Sequence, residues 1–201
     1  MKIIVIGAQG TIGKNVVTAL EKENDTEIIK VGLDAGDFRV DMHSTASIEN
    51  LFKQIGAFDA LVVAAGGAHF GPLSAMTDEH FREGINSKLM GQVNLVLIGQ
   101  HYINRKGSFT LVSGTLAEDP IPFAANVSAV NAAINGFVTG ASIELENGLR
   151  INAVSPSVVE ESPALHPFFK GHTPVKAERV AQAYIKSIYG ALSGQVFKVY
   201  P

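Results

Sequence analysis

Four consecutive β-branched residues, Ile3-Ile4-Val5-Ile6, run into Gly7, and glycines recur at Gly10 and Gly13 before helical apolar spacing begins at Val16, Val17 and Leu20. That order reads as a buried parallel strand, a glycine turn and a helix N-terminus. The first N–H groups of such a helix lack intrahelical partners and carry the positive end of its dipole, so a pyrophosphate can sit there if no side chain blocks it. Glycine supplies the clearance. Gly7, Gln9, Gly10, Thr11, Ile12 and Gly13 therefore form a candidate phosphate-binding turn, with a purely structural βα turn as the alternative. Asp34 lies 21 residues beyond Gly13, close to the roughly 20 expected of a carboxylate that holds an adenosine ribose. A Walker-type loop is excluded, because Ala8 stands where its first glycine belongs and Asn15 where its Ser or Thr belongs.

The rest of the chain alternates strand and helix patterns. Strands are expected at residues 27–32, 39–41, 59–65, 108–113, 150–155 and 195–200. Asp59-Ala-Leu-Val-Val-Ala-Ala65 is apolar on both faces, which places it centrally under helices on both sides. Helical spacing marks 44–55, capped by Ser44. It marks a short helix joined to a long one from Thr77 through Leu97, then a long helix over 123–146, and a last helix from about Thr173 to Tyr189. Together these give one α/β domain over 1–201, a Rossmann-type doubly wound, mostly parallel seven-stranded sheet with helices on both faces. Its ligand belongs at the carboxyl ends of the strands, where strand order reverses. Residues 156–172, with Pro156, Pro163, Pro167, Phe168 and Phe169, leave such a strand end and read as a lid over the ligand or as a tethered surface loop.

Composition removes several function classes. No apolar run is long enough for a membrane span, and the net charge of −3 has no long single-sign block. Neither nucleic acid nor membrane is expected as a partner, and a cytoplasmic protein is. With no cysteine, thiolate chemistry is absent. The six histidines form no i, i+4 pair, so each is expected at a surface or loop position and no metal site is expected.

In this order the motifs resemble the short-chain dehydrogenase/reductase family nearly end to end, in a short form. Gly7-x-x-Gly10-x-x-Gly13 is similar to its nucleotide fingerprint, Asp41 to its adenine-contacting acid, and Ala64-Ala65-Gly66-Gly67 to its Asn-Asn-Ala-Gly turn. Ala132-Ala-Ile-Asn-Gly-Phe137 and Ile151-Asn-Ala-Val-Ser-Pro156 match two further segments. The resemblance implies NAD or NADP bound by Gly7, Gln9, Gly10, Thr11, Ile12, Gly13, Asp34, Asp41, Met42, Ala65, Gly66, Asn131, Pro156 and Val158. Asp34, whose carboxylate would repel a ribose phosphate, tilts the choice to NAD.

The family's Tyr-x-x-x-Lys pair is missing from the resemblance. Val127 falls at the tyrosine position and Asn131 at the lysine position, and neither can exchange a proton at neutral pH. Lys88 falls where the family has a structural asparagine, and it reads as a replacement proton donor or ribose anchor, or as an ordinary solvated lysine. Ser113 is a candidate hydrogen-bond donor to a substrate carbonyl. The expected activity is NAD(P)-dependent oxidoreduction of a small carbonyl or alcohol with a non-standard proton donor; the alternative is a catalytically inactive NAD(P)-binding sensor or regulatory protein. Ser128, Ala132, Gly136 and Gly140 give the long helix a face of small residues. It would pack on the protein's own sheet or, as in the resembled family, pair long helices in a homodimer or homotetramer.

Overall fold

The computed structural model describes residues 1–201. Its seven strands are β1 (Lys2–Ile6), β2 (Glu27–Gly32), β3 (Phe38–Arg39), β4 (Phe58–Val63), β5 (Ile103–Val112), β6 (Arg150–Pro156) and β7 (Val196–Val199). They form one sheet in the order β3-β2-β1-β4-β5-β6-β7, and every pairing is parallel. The strand order reverses between β1 and β4. Beyond their carboxyl ends lie Gly7 on one side and Ala64 to Gly67 on the other, so the sequence motifs converge on that crevice.

Helices α1 (Thr11–Leu20), α2 (Thr45–Ile55), α3 (Asp78–Gly84), α4 (Gly91–Gly99), α5 (Ala125–Ala141) and α6 (Ala177–Tyr189) cover both faces. Alternation along each strand assigns the two cores. Ile4, Ile6, Leu61 and Val63 pack with Ile48, Phe52, Leu95 and Ile134 on one side. Ile3, Val5, Ala60 and Val62 pack with Val16, Leu20, Val180 and Tyr184 on the other. Burial of both strand faces is what the unbroken apolar runs require.

Helix ends follow local chemistry, with three displacements from expectation. Ser44 caps α2 by accepting from Ser47 N–H, and Thr77 caps α3 by accepting from His80 N–H. The long helix starts at Ala125 rather than Phe123, because Phe123 has φ 68°, outside the right-handed helical region, and it ends at Ala141 rather than residue 146. The last helix begins at Ala177 rather than Thr173, since Val175 instead bridges Val159. Between α3 and α4 the chain does not break. Residues Ile85–Met90 form a π-helical turn that joins them.

Candidate active site

The glycine turn is built to leave a helix N-terminus open. Gly7 sits at φ 80°, with its N–H bonded to the Val31 carbonyl at 2.8 Å. A side chain on Gly13 would overlap the Gly7 carbonyl oxygen, so strand and helix approach as closely as backbones can. Gly10 is the N-cap of α1. No side chain caps it, and no acid lies in the first turn. The first bond of the helix runs from Lys14 N–H to the Gly10 carbonyl at 2.9 Å. Gly10 N–H donates to the Gly7 carbonyl at 3.0 Å, and the N–H groups of Thr11, Ile12 and Gly13 are the ones open to an anion.

A smaller cavity of about 160 Å³ continues from Gly7 between Gly32, Leu33, Asp41, Met42, Ala65 and Gly66. Asp34 does not line it. Asp34 is exposed in the turn after β2, and Leu33 occupies the wall. Asp41 does line it, with its carboxylate accepting from His43 N–H at 2.9 Å. The Gln9 carboxamide lies close against Gly32 and Gly36, closing the turn from above.

The main cavity of the site, about 360 Å³ and not the largest in the protein, opens beyond Thr11 and Ile12. Ala65, Gly66, Lys88, Ser113, Val127, Asn131, Pro156 and Val158 all line it, so residues spread over the chain meet in one place. Lys88 lies on the π-turn with its stem against Gly66, where a Cβ would come within 3.0 Å of Lys88 Cγ. Its ammonium donates to the Ser113 carbonyl at 3.1 Å. Burial pushes Lys88 down from 10.5 to about 8, because the charged form is separated from water. No other lining residue has an acid–base side chain: tyrosine, histidine, aspartate and glutamate are all absent from the wall.

Ser113 is buried with its hydroxyl donated to the Asn131 carbonyl at 3.0 Å. It reaches a ligand only by turning away from the helix. Val127 belongs to a small apolar cluster with Leu116, Val158 and Phe169 under residues 156–172. Asn131 is buried, and its side-chain oxygen has no hydrogen-bond partner in the protein. A buried acceptor without a donor is costly, and this oxygen is closed off from solvent, so a ligand reaches it only if the side chain turns toward the cavity.

Polar residues that helical periodicity gave no reason to single out hold this arrangement. Gln92 is buried on α4 and clamps β5, donating to the Val112 carbonyl and accepting from Val112 N–H at 2.9 and 2.8 Å. It also donates to the Lys88 carbonyl at 2.9 Å, which secures the π-turn. Asn126, at the start of α5, accepts from His69 N–H and donates to the Phe81 carbonyl. The only signal for either was a carboxamide among apolar neighbours. Residues 156–172 cover one side of the cavity through Ser157, Val159, Ser162, Leu165 and Phe169. They are tethered at several points: Glu160 N–H donates to the Val175 carbonyl and Val175 N–H to the Val158 carbonyl, each at 2.9 Å, and the Glu161 carboxylate accepts from Ala177 N–H at 3.1 and 2.9 Å and so caps α6.

His69, His80 and Glu83 come together outside the cavity, with potential ligand atoms within 4.8 Å of one another. His69 Nδ1 lies 3.2 Å from Glu83 Oε2. The two imidazoles stack at 4.2 Å with planes 7° apart, so their in-plane lone pairs run side by side rather than converge on one ion. Nδ1 of His80 is also taken, by Thr77 N–H in the cap of α3.

Comparison with known proteins places the chain. Residues 2–189 match the family described as enoyl-(acyl carrier protein) reductase. A crystal structure of a Listeria innocua protein is 47% identical, with each chain covering 100% of the other and a TM-score of 0.97. A small-chain dehydrogenase solved in complex with NADPH is 24% identical over 100% of this chain and 96% of its own, with a TM-score of 0.89. An uncharacterized oxidoreductase of Methylorubrum extorquens is 24% identical over 78% of this chain and 72% of its own length.

Proposed function

We propose that this chain, which belongs to the short-chain dehydrogenase/reductase family, is an NAD(P)-dependent oxidoreductase in which Lys88 moves the proton. The observation that carries the proposal is that Lys88 is the sole acid–base group on the wall of the main cavity, held there with its affinity for a proton lowered to about 8. A donor with a pKa near the working pH is what general acid–base catalysis selects for.

The residues fit a dinucleotide. The open N-terminus of α1, reached over Gly7, Gln9, Gly10, Thr11, Ile12 and Gly13, takes the pyrophosphate. Asp41, Met42, Ala65 and Gly66 flank the adenosine, and Asn131, Pro156 and Val158 border the nicotinamide half, where Asn131 Oδ1, once turned toward the cavity, accepts from a ribose hydroxyl. A bound nicotinamide cofactor supplies or receives the hydride at the substrate carbon. Lys88 gives its proton to the carbonyl oxygen in reduction and takes one from the hydroxyl in oxidation. Ser113 supports that oxygen once its hydroxyl leaves the Asn131 carbonyl. Residues 156–172 act as a lid that excludes water. NAD and NADP are proposed alike, because Asp34, whose carboxylate would favour NAD, is exposed and does not line the adenosine cavity. The substrate is a small carbonyl or alcohol.

One observation favours the second reading, a sensor that binds NAD(P) without turnover. The Ser113 hydroxyl is committed to the helix, so the cavity offers a ligand no free hydroxyl proton from it. Calorimetry with NAD(H) and NADP(H), followed by nicotinamide absorbance against an aldehyde and ketone panel, separates the readings. Binding with turnover supports the enzyme, binding without turnover supports the sensor, and no binding removes both.

No helix is long and apolar enough to cross a membrane. The small face of α5 does not pack on its own sheet: Gly136 and Gly140 have no neighbour within 4 Å of where a side chain would begin. We therefore assign that face to a homodimer or homotetramer.

A further inference from the structure

The amine of Lys88 is equipped for more than proton transfer. It meets one partner, the Ser113 carbonyl at 3.1 Å. Burial alone lowers its affinity for a proton, with no charged neighbour contributing. A carbonyl oxygen accepts an N–H and cannot hold a lone pair, so the lone pair of the neutral amine is left to face the cavity. Val112, Leu116, Val127, Val158 and Phe169 make much of the surrounding wall hydrocarbon. A lysine desolvated in such surroundings is a nucleophile toward a carbonyl carbon.

We propose that in the nucleotide-free protein Lys88 forms an imine with a small β-oxo acid in the main cavity and releases carbon dioxide from it. This activity shares with the oxidoreductase only the placement of Lys88 and needs no nucleotide. The Nζ lone pair adds to the ketone carbon, a proton passes from nitrogen to oxygen, and the carbinolamine loses water to leave a C=N bond. Water protonates that nitrogen. The bond to the carboxylate then breaks, its electron pair forms the C=C of an enamine as the C=N pair moves to nitrogen, and carbon dioxide leaves. The enamine takes a proton from water at carbon, and a second water cleaves the imine, returning the amine and a ketone one carbon shorter.

Two features of the wall select this step among the reactions of imines. Aldol cleavage and isomerisation need a second side chain to take a proton, and the wall holds no aspartate, glutamate, histidine or tyrosine. Loss of carbon dioxide needs none. It also converts an iminium and a carboxylate into two neutral groups, the direction that apolar walls favour.

The test incubates the nucleotide-free protein with 3-oxobutanoate at pH 8, with and without sodium cyanoborohydride, and follows carbon dioxide release together with peptide mapping by mass. Carbon dioxide should appear faster than without protein, and the hydride should fix an alkyl group on Lys88. Lys88→Met, shown to be folded by its thermal melt, should lose both and release carbon dioxide at the uncatalysed rate. Lys88→Arg keeps a cation, cannot form the imine and should lose both as well. Release by Lys88→Arg equal to the wild type, or the absence of an alkyl group at Lys88, overturns the proposal. So does an alkyl group there without release of carbon dioxide. Nucleotide-dependent turnover, measured in separate samples, reads the other assignment: decarboxylation without it retains this activity and removes the oxidoreductase, and turnover without trapping at Lys88 removes this activity alone.

Discussion

Replacing Lys88 with methionine, which keeps the length of the stem and removes the charge, should make the protein more stable and inactive at once. The fall of the ammonium from 10.5 to about 8, at about 1.4 kcal/mol per tenfold change in proton affinity, is about 3 kcal/mol spent holding the cation out of water at neutral pH. Loss of the hydrogen bond to the Ser113 carbonyl returns about 1 kcal/mol, leaving a net gain of about 2 kcal/mol. For a chain of this size that raises the melting temperature by roughly 4 to 8 °C. The sign depends on pH. In the wild type the unfolded lysine keeps its proton up to 10.5 while the folded one releases it near 8, so wild-type stability rises across that interval. Lys88→Met lacks the effect, and its advantage at pH 7 should close by about pH 10. Thermal melts of both proteins at the two pH values read this directly, alongside nicotinamide absorbance for turnover. A variant that melts below the wild type at pH 7, or an offset equal at both pH values, would refute the buried-cation account. Retained turnover would remove Lys88 from the chemistry.

Three further outcomes are expected. Carbonyl reduction, which needs Lys88 protonated, should fall above about pH 8 while alcohol oxidation rises there, and parallel profiles in both directions would count against Lys88 as the proton carrier. Gly13→Ala places a methyl group on the Gly7 carbonyl; it should cost about 2 kcal/mol or more and lower nucleotide affinity at least tenfold by calorimetry. Gly140→Glu, on the open face of α5, should change stability by about 0.5 kcal/mol or less in the monomer while lowering the mass seen in sedimentation, and an unchanged mass would move the interface elsewhere.

Most of the fold was legible because period and punctuation agreed along the chain. Ile3 to Ile6 and Ala60 to Val63 are apolar on successive positions, which only a strand buried on both faces requires, and both lie centrally in the sheet. Boundaries went astray where one residue outweighed a pattern. Pro174 resembles a helix start, yet Val175 is drawn into a bridge with Val159. Phe123 continues the apolar spacing of α5 but has a backbone no helix contains. The direction of Lys88 was not legible, because periodicity assumes about 3.6 residues per turn and the turn from Ile85 to Met90 is wider. Nor could spacing reveal the meeting of His69 with His80 and Glu83. They belong to a loop and a helix, and Asn126, from a third segment, fixes the position of the loop.

The π-turn also bears on how a chain like this one changes its chemistry over time. A wider turn is in effect one residue inserted into a helical ladder, and taking that residue out would swing α3 by about 100° relative to α4. Gln92, Gly66 and the Ser113 carbonyl meet Lys88 in the slipped register. The cation at this cavity therefore owes its place to an insertion as much as to a codon. Removing the extra residue would turn Lys88 by about 100° relative to one of its flanking helices, so the π-turn and the lysine together place the ammonium at the cavity.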